Sequence, residues 1–236
     1  MTTTKRFLVG AAARNNAEWC AVMSRSHGVR GEFGRQAWTA PARTPPYYPD
    51  AVTLAPGADA AELLDRIDTE ARGASVKDSF ADLDLTRAGF RVLLDAHWIH
   101  RPASAPVTVP EPAWDVVRTP QALRAWQLAR AGAADDAALF RPELLDDPAT
   151  FVLAGRSAEG RVVAGAVASR SERVAGISNV FASEGGAAAA WPGVLHTVER
   201  LFPGLPVVGY EHGEDLDAAL RHGFEPIGPL RIWLRD

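Results

Sequence analysis

The sequence has few of the residues that would tie it to an oxidising compartment, a metal cluster or a membrane. Cys20 is its only cysteine, so no intramolecular disulfide and no cysteine-based zinc cluster can form. His97 and His100 lie near each other but lack the carboxylates and thiolates of a recognisable metal site. No apolar run has the length of a membrane-spanning helix. We therefore expect a cytoplasmic protein without a metal ion or a membrane association.

The sequence also lacks a concentration of positive charge. The 236 residues include 25 Lys and Arg against 29 Asp and Glu, for a net charge of -4. Binding along a nucleic-acid backbone needs a concentrated basic face, and the sequence has no cluster of that kind. Small molecules or proteins are the expected partners, and the oligomeric state is left open.

The amino-terminal stretch resembles a short secretory signal. Two basic residues precede the apolar run from Phe7 to Ala13, and Arg14 follows at once. Seven residues are the lower limit for the apolar region of a signal peptide. We interpret this run as a first β-strand.

Prolines divide the chain into two halves. Pro102, Pro106, Pro110 and Pro112 favour an extended connection, because proline fixes its own backbone and discourages helix before it. The predicted domains are residues 1–105 and 106–236.

The second half alternates strands with helices. Thr119 and Pro120 fit the start of a helix that runs to Gly132, and three β-rich runs then end in "SNVFA" at Ala182. The small-residue stretch "SEGGAA" precedes a helix that we place from near Gly193. A strand ending at Glu211, a further helix and a β-rich tail complete an α/β fold, in which helices flank a mixed twisted sheet.

A concealed repeat relates the two halves. Arg87, Gly89 and Phe90 match Arg221, Gly223 and Phe224 in an R-x-G-F motif, and an aromatic strand follows each copy. One inserted residue then aligns Trp98 with Trp233, although Arg101 falls on Asp236. The same register matches a helix over 59–70, capped by Asp59, with the helix near Gly193. We predict two related lobes, the first of which is truncated.

The element order of the second half, the turn "SEGGAA" and the later "RHGFEPIG" together resemble the GNAT superfamily of N-acetyltransferases. The first half looks like a degenerate copy. The resemblance implies acetyl-CoA, or another acyl-CoA, as the cofactor. In this superfamily the turn binds the pyrophosphate through backbone N–H groups, and a helix amino terminus favours that charge. Ser183 stands where the family pattern has Gln or Arg. The implied cofactor-binding residues are Val180, Phe181, Ala182, Gly185, Gly186, Ala187 and Ala188.

Acyl transfer to an amine needs a base for the amine proton. Glu211 is the best candidate, since it ends the strand beside the expected thioester, and its neighbours Tyr210 and His212 complete the catalytic set. Strand alternation places Glu211 on the opposite face from both neighbours. Asn179 and Glu184 flank the expected cofactor and are the predicted substrate-binding residues. The acidic group near Glu211 favours a cationic small-molecule amine, unless it only caps a helix.

Two alternatives remain open. The tyrosine that commonly protonates the leaving thiolate in this superfamily is replaced by Ala219, and by Leu85 in the first half. This difference favours a catalytically inactive protein that binds CoA or a protein partner. Separately, Cys20 and His27 are seven positions apart on a possible helix and would form a thiolate nucleophile if they shared an exposed face.

Overall fold

The computed structural model describes residues 3–70, 72–103, 105, 113–131 and 139–236. The chain divides into two compact units. Unit 1 comprises Met1–Trp98 with Pro226–Asp236, and unit 2 comprises Ile99–Glu225. Most of the proline-rich connection, like Gly132, lies outside the described residues, and the boundary proposed between residues 105 and 106 stays a prediction.

Unit 1 is an open sheet with one long helix and one short helix. Its strands follow the order β1-β2-β3-β4-β11-β5, in which β3 and β4 are parallel and β11 is antiparallel to β4. Its elements are α1 (Thr3–Ser26), β1 (Glu32–Phe33), β2 (Ala37–Thr39), β3 (Ala51–Thr53), α2 (Ala60–Leu64), β4 (Ser75–Asp78), a 3-10 turn (Thr86–Ala88), β5 (Phe90–Arg101) and β11 (Glu225–Arg235). The last three residues of β5, Ile99–Arg101, and the first residue of β11, Glu225, belong to unit 2.

The strand predicted over Phe7 to Ala13 is wrong, because this run lies inside α1. Val9, Ala13, Asn16, Cys20 and Met23 are all buried. Their spacing of three or four residues is that of one helical face. Seven residues are too few to show the helical period, which becomes clear only when the buried residues as far as Met23 are included.

Unit 2 is a sheet with the strand order β10-β9-β8-β7-β6, in which only the β9–β10 pair is parallel. Its elements are β6 (Ala113–Val116), α3 (Pro120–Ala131), a 3-10 turn (Pro142–Asp146), β7 (Thr150–Arg156), β8 (Val162–Arg170), β9 (Ala175–Ala182), α4 (Gly186–Leu201), β10 (Val207–Glu211) and α5 (Gly213–Arg221).

Local signals predicted several of these elements correctly. The Thr119 hydroxyl accepts from the Ala122 N–H at 3.2 Å, and the Thr119 carbonyl accepts from the Leu123 N–H. Both bonds define the start of α3. The tight turn between β7 and β8 is closed by Ser157 and Arg161, whose backbones are hydrogen-bonded at 2.9 Å.

Helices cover both faces of the unit 2 sheet. On one face, Trp126 of α3 packs against Phe181, with ring centroids 5.3 Å apart. A side chain at Gly165 would collide with both rings. On the other face, a core of α4 and α5 residues packs on Leu153, Ile177 and Val207. This arrangement confirms the predicted α/β class with a mixed, helix-flanked sheet.

Two helix boundaries differ from the predictions. The helix placed from near Gly193 begins at Gly186, so the four alanines at positions 187–190, which precede the predicted start, belong to the helix. The helix predicted over 59–70 is confined to Ala60–Leu64, although Asp59 does cap it through bonds from the Ala61 and Glu62 N–H groups. Within the described ranges, no helix has the length and apolar character needed to cross a membrane.

Candidate functional site

The two parallel strands of unit 2 separate towards their carboxyl ends. Val207 pairs with Ala175, and Val208 pairs with Gly176. No later pair joins β9 to β10 in the part of the chain that the structure describes, although β9 continues to Ala182. The backbone at this edge of β9 is therefore available to a ligand, because its N–H and C=O groups need partners.

A β-bulge in β9 accounts for this separation. Asn179 has a φ of 54°, and the β8–β9 register shifts by one residue between the Val167–Ser178 and Gly165–Phe181 pairs. A bulge bends its strand and increases the local twist. Asn179 is half-buried, and its amide donates to the Ser178 hydroxyl at 3.0 Å.

The side chains that follow the bulge serve the core. Phe181 packs against Trp126 on the α3 face, and Val180 packs on the opposite core beneath α4. Ala182, the last residue of β9, is half-buried. Any ligand contact by these three residues at the open edge would therefore use their backbone atoms.

The turn after β9 presents an uncapped helix amino terminus. Gly185 and Gly186 have φ angles of 73° and 63°, a conformation that glycine adopts without steric cost. A Cβ atom at Gly186 would meet no other atom within 4 Å. The N-cap residue, Gly185, has no side chain that could cap α4, and the first turn of α4 contains no acidic residue. The free N–H groups of such a terminus attract an anion.

The other predicted residues of the turn lie around this terminus. Ala187 and Ala188 belong to the first turn of α4 and are half-buried. Ser183 and Glu184 are exposed in the connection from β9. The Ser183 N–H donates to the Val163 carbonyl at 2.8 Å, which anchors the start of the turn to β8.

Glu211 ends β10 on the side of the sheet that α4 and α5 cover. Val207 packs in that core, and alternation places Gly209 and Glu211 on the same face. A Cβ atom at Gly209 would lie 3.1 Å from the Ile177 carbonyl, so the two strands approach closely before they separate. Burial, assisted by the nearby Asp215 carboxylate, raises the pKa of Glu211 to about 7.

The two neighbours of Glu211 have different surroundings. Tyr210 is half-buried and belongs to the opposite face of β10 by alternation. His212 is exposed at the N-cap position of α5, and its side chain makes no capping bond. The structure thus brings the three predicted catalytic residues to one strand end but separates Glu211 from Tyr210 across the sheet.

Sequence reasoning missed a connection between α5 and the first turn of α4. The His222 imidazole hydrogen-bonds to the backbone of Ala188, and burial lowers its pKa more than this bond raises it. The Arg101 Nε donates to the His222 carbonyl at 2.9 Å. The signal available in the sequence was the R-x-G-F motif, in which His222 is the variable residue x.

The structure argues against the Cys20 nucleophile. Cys20 is only 1% exposed, and its thiol lies 3.8 Å from the Asn16 side-chain oxygen. Burial raises the pKa of the thiol, an effect that the Lys77 charge only partly opposes. A buried thiol of raised pKa is a structural residue.

Solved structures with the same arrangement of elements identify the fold. A GCN5-related N-acetyltransferase from Kribbella flavida superposes with a TM-score of 0.66 and 19% identity over 95% of each chain. The chain has the GNAT fold. A GNAT-family putative acetyltransferase from Novosphingobium aromaticivorans gives a TM-score of 0.56 at 14% identity, covering 94% of this chain and 97% of its own.

A third GNAT-fold protein supports the same assignment. The GCN5-related N-acetyltransferase from Sphaerobacter thermophilus has a TM-score of 0.51 and 12% identity, with 96% of this chain and 93% of that chain covered. The sequence itself matches no family model, and no curated protein is significantly similar to it. The GNAT resemblance noted in the second half is thus confirmed as a fold.

Proposed function

We propose that unit 2 transfers an acetyl or other acyl group from CoA to the amine of a small molecule. The observation that carries the proposal is the open edge of β9, which leads directly to the uncapped amino terminus of α4. An extended pantetheine arm suits the edge and a diphosphate suits the terminus, because both use backbone groups.

The residues of this region fit the cofactor. Backbone groups of Val180, Phe181 and Ala182 would bind the arm, and N–H groups from Gly185 to Ala188 would bind the phosphates. The open space above Gly186 admits the phosphate oxygens. CoA would supply an acyl group activated as a thioester. Glu184, exposed beside this terminus, would have to direct its carboxylate away from the phosphates.

Glu211 would act as the general base. A carboxylate with a pKa of about 7 accepts protons more readily than an ordinary glutamate, and a substantial fraction of it is ionised at neutral pH. It would take the proton from the acceptor ammonium or amine. Glu214, Asp215 and Asp217 lie nearby in α5, and their charges favour a cationic acceptor. Asn179 and Glu184 remain the proposed acceptor-orienting residues, with Tyr210 and His212 as secondary candidates for proton transfer.

A catalytically inactive CoA-binding protein is the second candidate. It is favoured by Ala219, which is fully buried in the core between α4 and α5. That position therefore supplies no acid for a departing thiolate. Another residue, such as Tyr210, must serve if the protein is an enzyme.

We further propose that the two halves of the chain, residues 1–105 and 106–236, are related copies. β3, α2 and β4 in unit 1 repeat the order of β9, α4 and β10 in unit 2, and each strand pair is parallel. Gly89 and Gly223 of the two R-x-G-F motifs have φ angles of 81° and 84°. The strand after the second motif, β11, pairs in unit 1 with β4, so each repeat is not confined to its own unit.

Calorimetric titration with acetyl-CoA tests the cofactor site. The test variant is Gly186→Glu, which adds repulsive charge, and the matched control is Gly186→Asn, which places a neutral side chain at the same positive φ. We expect saturable binding by the native protein, partial retention by Gly186→Asn and loss in Gly186→Glu. No binding by the native protein would refute the cofactor site.

An amine screen, with release of free CoA thiol as the readout, then separates the two candidates. We expect turnover with a cationic amine and a loss of about 10²- to 10⁴-fold in Glu211→Gln. Binding of acetyl-CoA without turnover of any amine would favour the inactive protein. Unchanged turnover and acceptor affinity in Glu211→Gln would remove Glu211 from the mechanism.

A further inference from the structure

Unit 1 contains a pocket that the proposed acyl transfer does not use. The pocket has a volume of about 480 Å³, which lies in the range of small-molecule sites. Its lining residues are Arg6, Val9, Pro56, Gly57, Phe80, Asp82, Gly228 and Pro229. We propose that this pocket binds a small zwitterion with an apolar body, of the class of amino acids and dipeptides.

The pocket lies where parallel strands characteristically bind ligands. β3 and β4 are parallel neighbours, with Ala51 opposite Val76. Pro56 and Gly57 follow β3, and Phe80 and Asp82 follow β4. In open α/β sheets, ligands bind in the crevice beyond the carboxyl ends of such strands. The topology therefore places this pocket at the expected ligand position of unit 1.

Hydrogen bonds hold the two loops of the pocket in place. The Gly57 N–H donates to the Asp82 carboxylate at 2.8 Å and joins the loop after β3 to the loop after β4. The Asp78 carboxylate accepts from the Phe80 N–H at 3.2 Å and from the Leu83 N–H at 2.9 Å. Between them Ala81 has a φ of 52°, a strained conformation that persists only where its surroundings impose it. The pocket is thus preorganised.

The chemistry of unit 1 is unsuited to a second CoA diphosphate. Asp59 caps α2 by accepting from the Ala61 and Glu62 N–H groups at 2.9 and 3.1 Å. Its carboxylate therefore occupies the place where a helix amino terminus would receive phosphate oxygens. Glu62 adds further negative charge in the first turn of α2.

Two opposite charges and apolar walls define the ligand instead. Arg6 and Asp82 both line the pocket, and no hydrogen bond or ion pair among the described residues joins them to each other. Arg6 suits a carboxylate and Asp82 suits an ammonium group. Each therefore keeps charge-assisted bonding capacity for a ligand that carries both groups. The walls that would contact the apolar body come from Val9, Pro56, Phe80 and Pro229.

Calorimetry with the full chain tests the site with three probes. The probes are the dipeptide leucyl-phenylalanine, its carboxyl-terminal amide and its N-acetyl derivative. The amide lacks the carboxylate, and the acetyl derivative lacks the ammonium group. We expect saturable binding of the dipeptide. Each derivative should bind at least about tenfold more weakly than the dipeptide, since each loses one charge-assisted contact.

Variants assign each charge to its residue. In Arg6→Gln the dipeptide and its amide should bind equally weakly, because the residue proposed to bind the carboxylate is gone. In Asp82→Asn the dipeptide and its acetyl derivative should bind equally weakly, because the residue proposed to bind the ammonium group is gone. Arg30→Gln and Glu70→Gln change the same charges at exposed positions outside the pocket and should leave binding unchanged. Asparagine at position 82 retains an acceptor for the Gly57 N–H.

The proposal is overturned by absence of dipeptide binding, by equal binding of the three probes, or by unchanged binding in both pocket variants. Acetyl-CoA titrations of Arg6→Gln and Asp82→Asn are run in parallel and should match the native protein. The zwitterion site and the cofactor site can thus fail independently.

Discussion

The Arg101 side chain, at the end of β5, donates from Nε to the backbone carbonyl of His222 at 2.9 Å, where α5 ends. A related contact occurs in unit 1, where Arg235 at the end of β11 lies 3.7 Å from the position of a Cβ atom on Gly89. The Arg101 Nε lies 3.6 Å from the position of a Cβ atom on Gly223. Each strand-end arginine thus approaches the glycine of an R-x-G-F turn.

Replacing Arg101 with Met should destabilise unit 2. The residue is 5% exposed, and the substitution removes the bond to the His222 carbonyl. Loss of a buried hydrogen bond to a charged donor costs about 1.5 to 3 kcal/mol. Urea unfolding of the variant and the native protein measures the difference in unfolding free energy. Arg91→Met is the control, because Arg91 forms an exposed ion pair with Asp236 and should matter much less. Equal losses in the two variants would contradict this role for Arg101.

Gly193 should be intolerant of any side chain. It lies within α4 beneath Trp114, and a Cβ atom there would overlap the indole ring. Gly193→Ala should therefore cost about 1 to 3 kcal/mol of unfolding free energy, although alanine is the better helix former. In a protein that already carries Trp114→Leu, which removes the indole ring, the same Gly193→Ala change should cost less unfolding free energy. A stabilising effect of the single change would contradict the packing.

The raised pKa of Glu211 predicts a specific pH dependence of stability. The folded state binds its proton up to about pH 7, whereas the unfolded chain releases it near pH 4.3. Between these values the folded state holds more protons, so the contribution of Glu211 to stability falls as pH rises. Compared with Glu211→Gln, the native protein should lose about 1 to 3 kcal/mol between pH 4.5 and 7.5. A constant difference between the two proteins across this range would show an ordinary pKa.

Cys20 should be unreactive in the native protein. Its burial and raised pKa leave little exposed thiolate, and the thiolate is the reactive form. A thiol-specific chromogenic reagent should label Cys20 fully in denaturant and negligibly without it. Rapid, stoichiometric labelling of the folded protein would restore the nucleophile hypothesis.

The local elements were largely predictable because their signals act over a few residues. Thr119 with Pro120 predicts the start of α3, and Asp59 predicts the start of α2. The turn before α4 was located correctly, but Gly186 to Ala190 have no apolar period, so the sequence did not show that the helix begins there. The run from Phe7 to Ala13 is likewise too short to show a helical period, and only the buried face that continues to Met23 distinguishes it from a strand.

The R-x-G-F repeat led to one correct prediction and one incorrect alignment. The motif correctly located two turns with glycines at positive φ. The inserted residue that aligned Trp98 with Trp233 left Arg101 opposite Asp236. Without that insertion Arg101 matches Arg235, and these two arginines make the comparable contacts in the structure. The shared tryptophan is the more conspicuous match in the sequence, but it is the arginines that reach the turns.

The sequence by itself determined the caps of α2 and α3, the tight turn between β7 and β8, the glycine-rich stretch before α4 and the placement of Glu211 at a strand end, because each depends on neighbouring residues. Only the tertiary structure decided that β11 pairs with β4 of unit 1, that the bulge at Asn179 separates β9 from β10, and that burial raises the pKa of Glu211. Strand pairing and burial depend on residues distant in the chain, and local pattern does not specify which of them will meet.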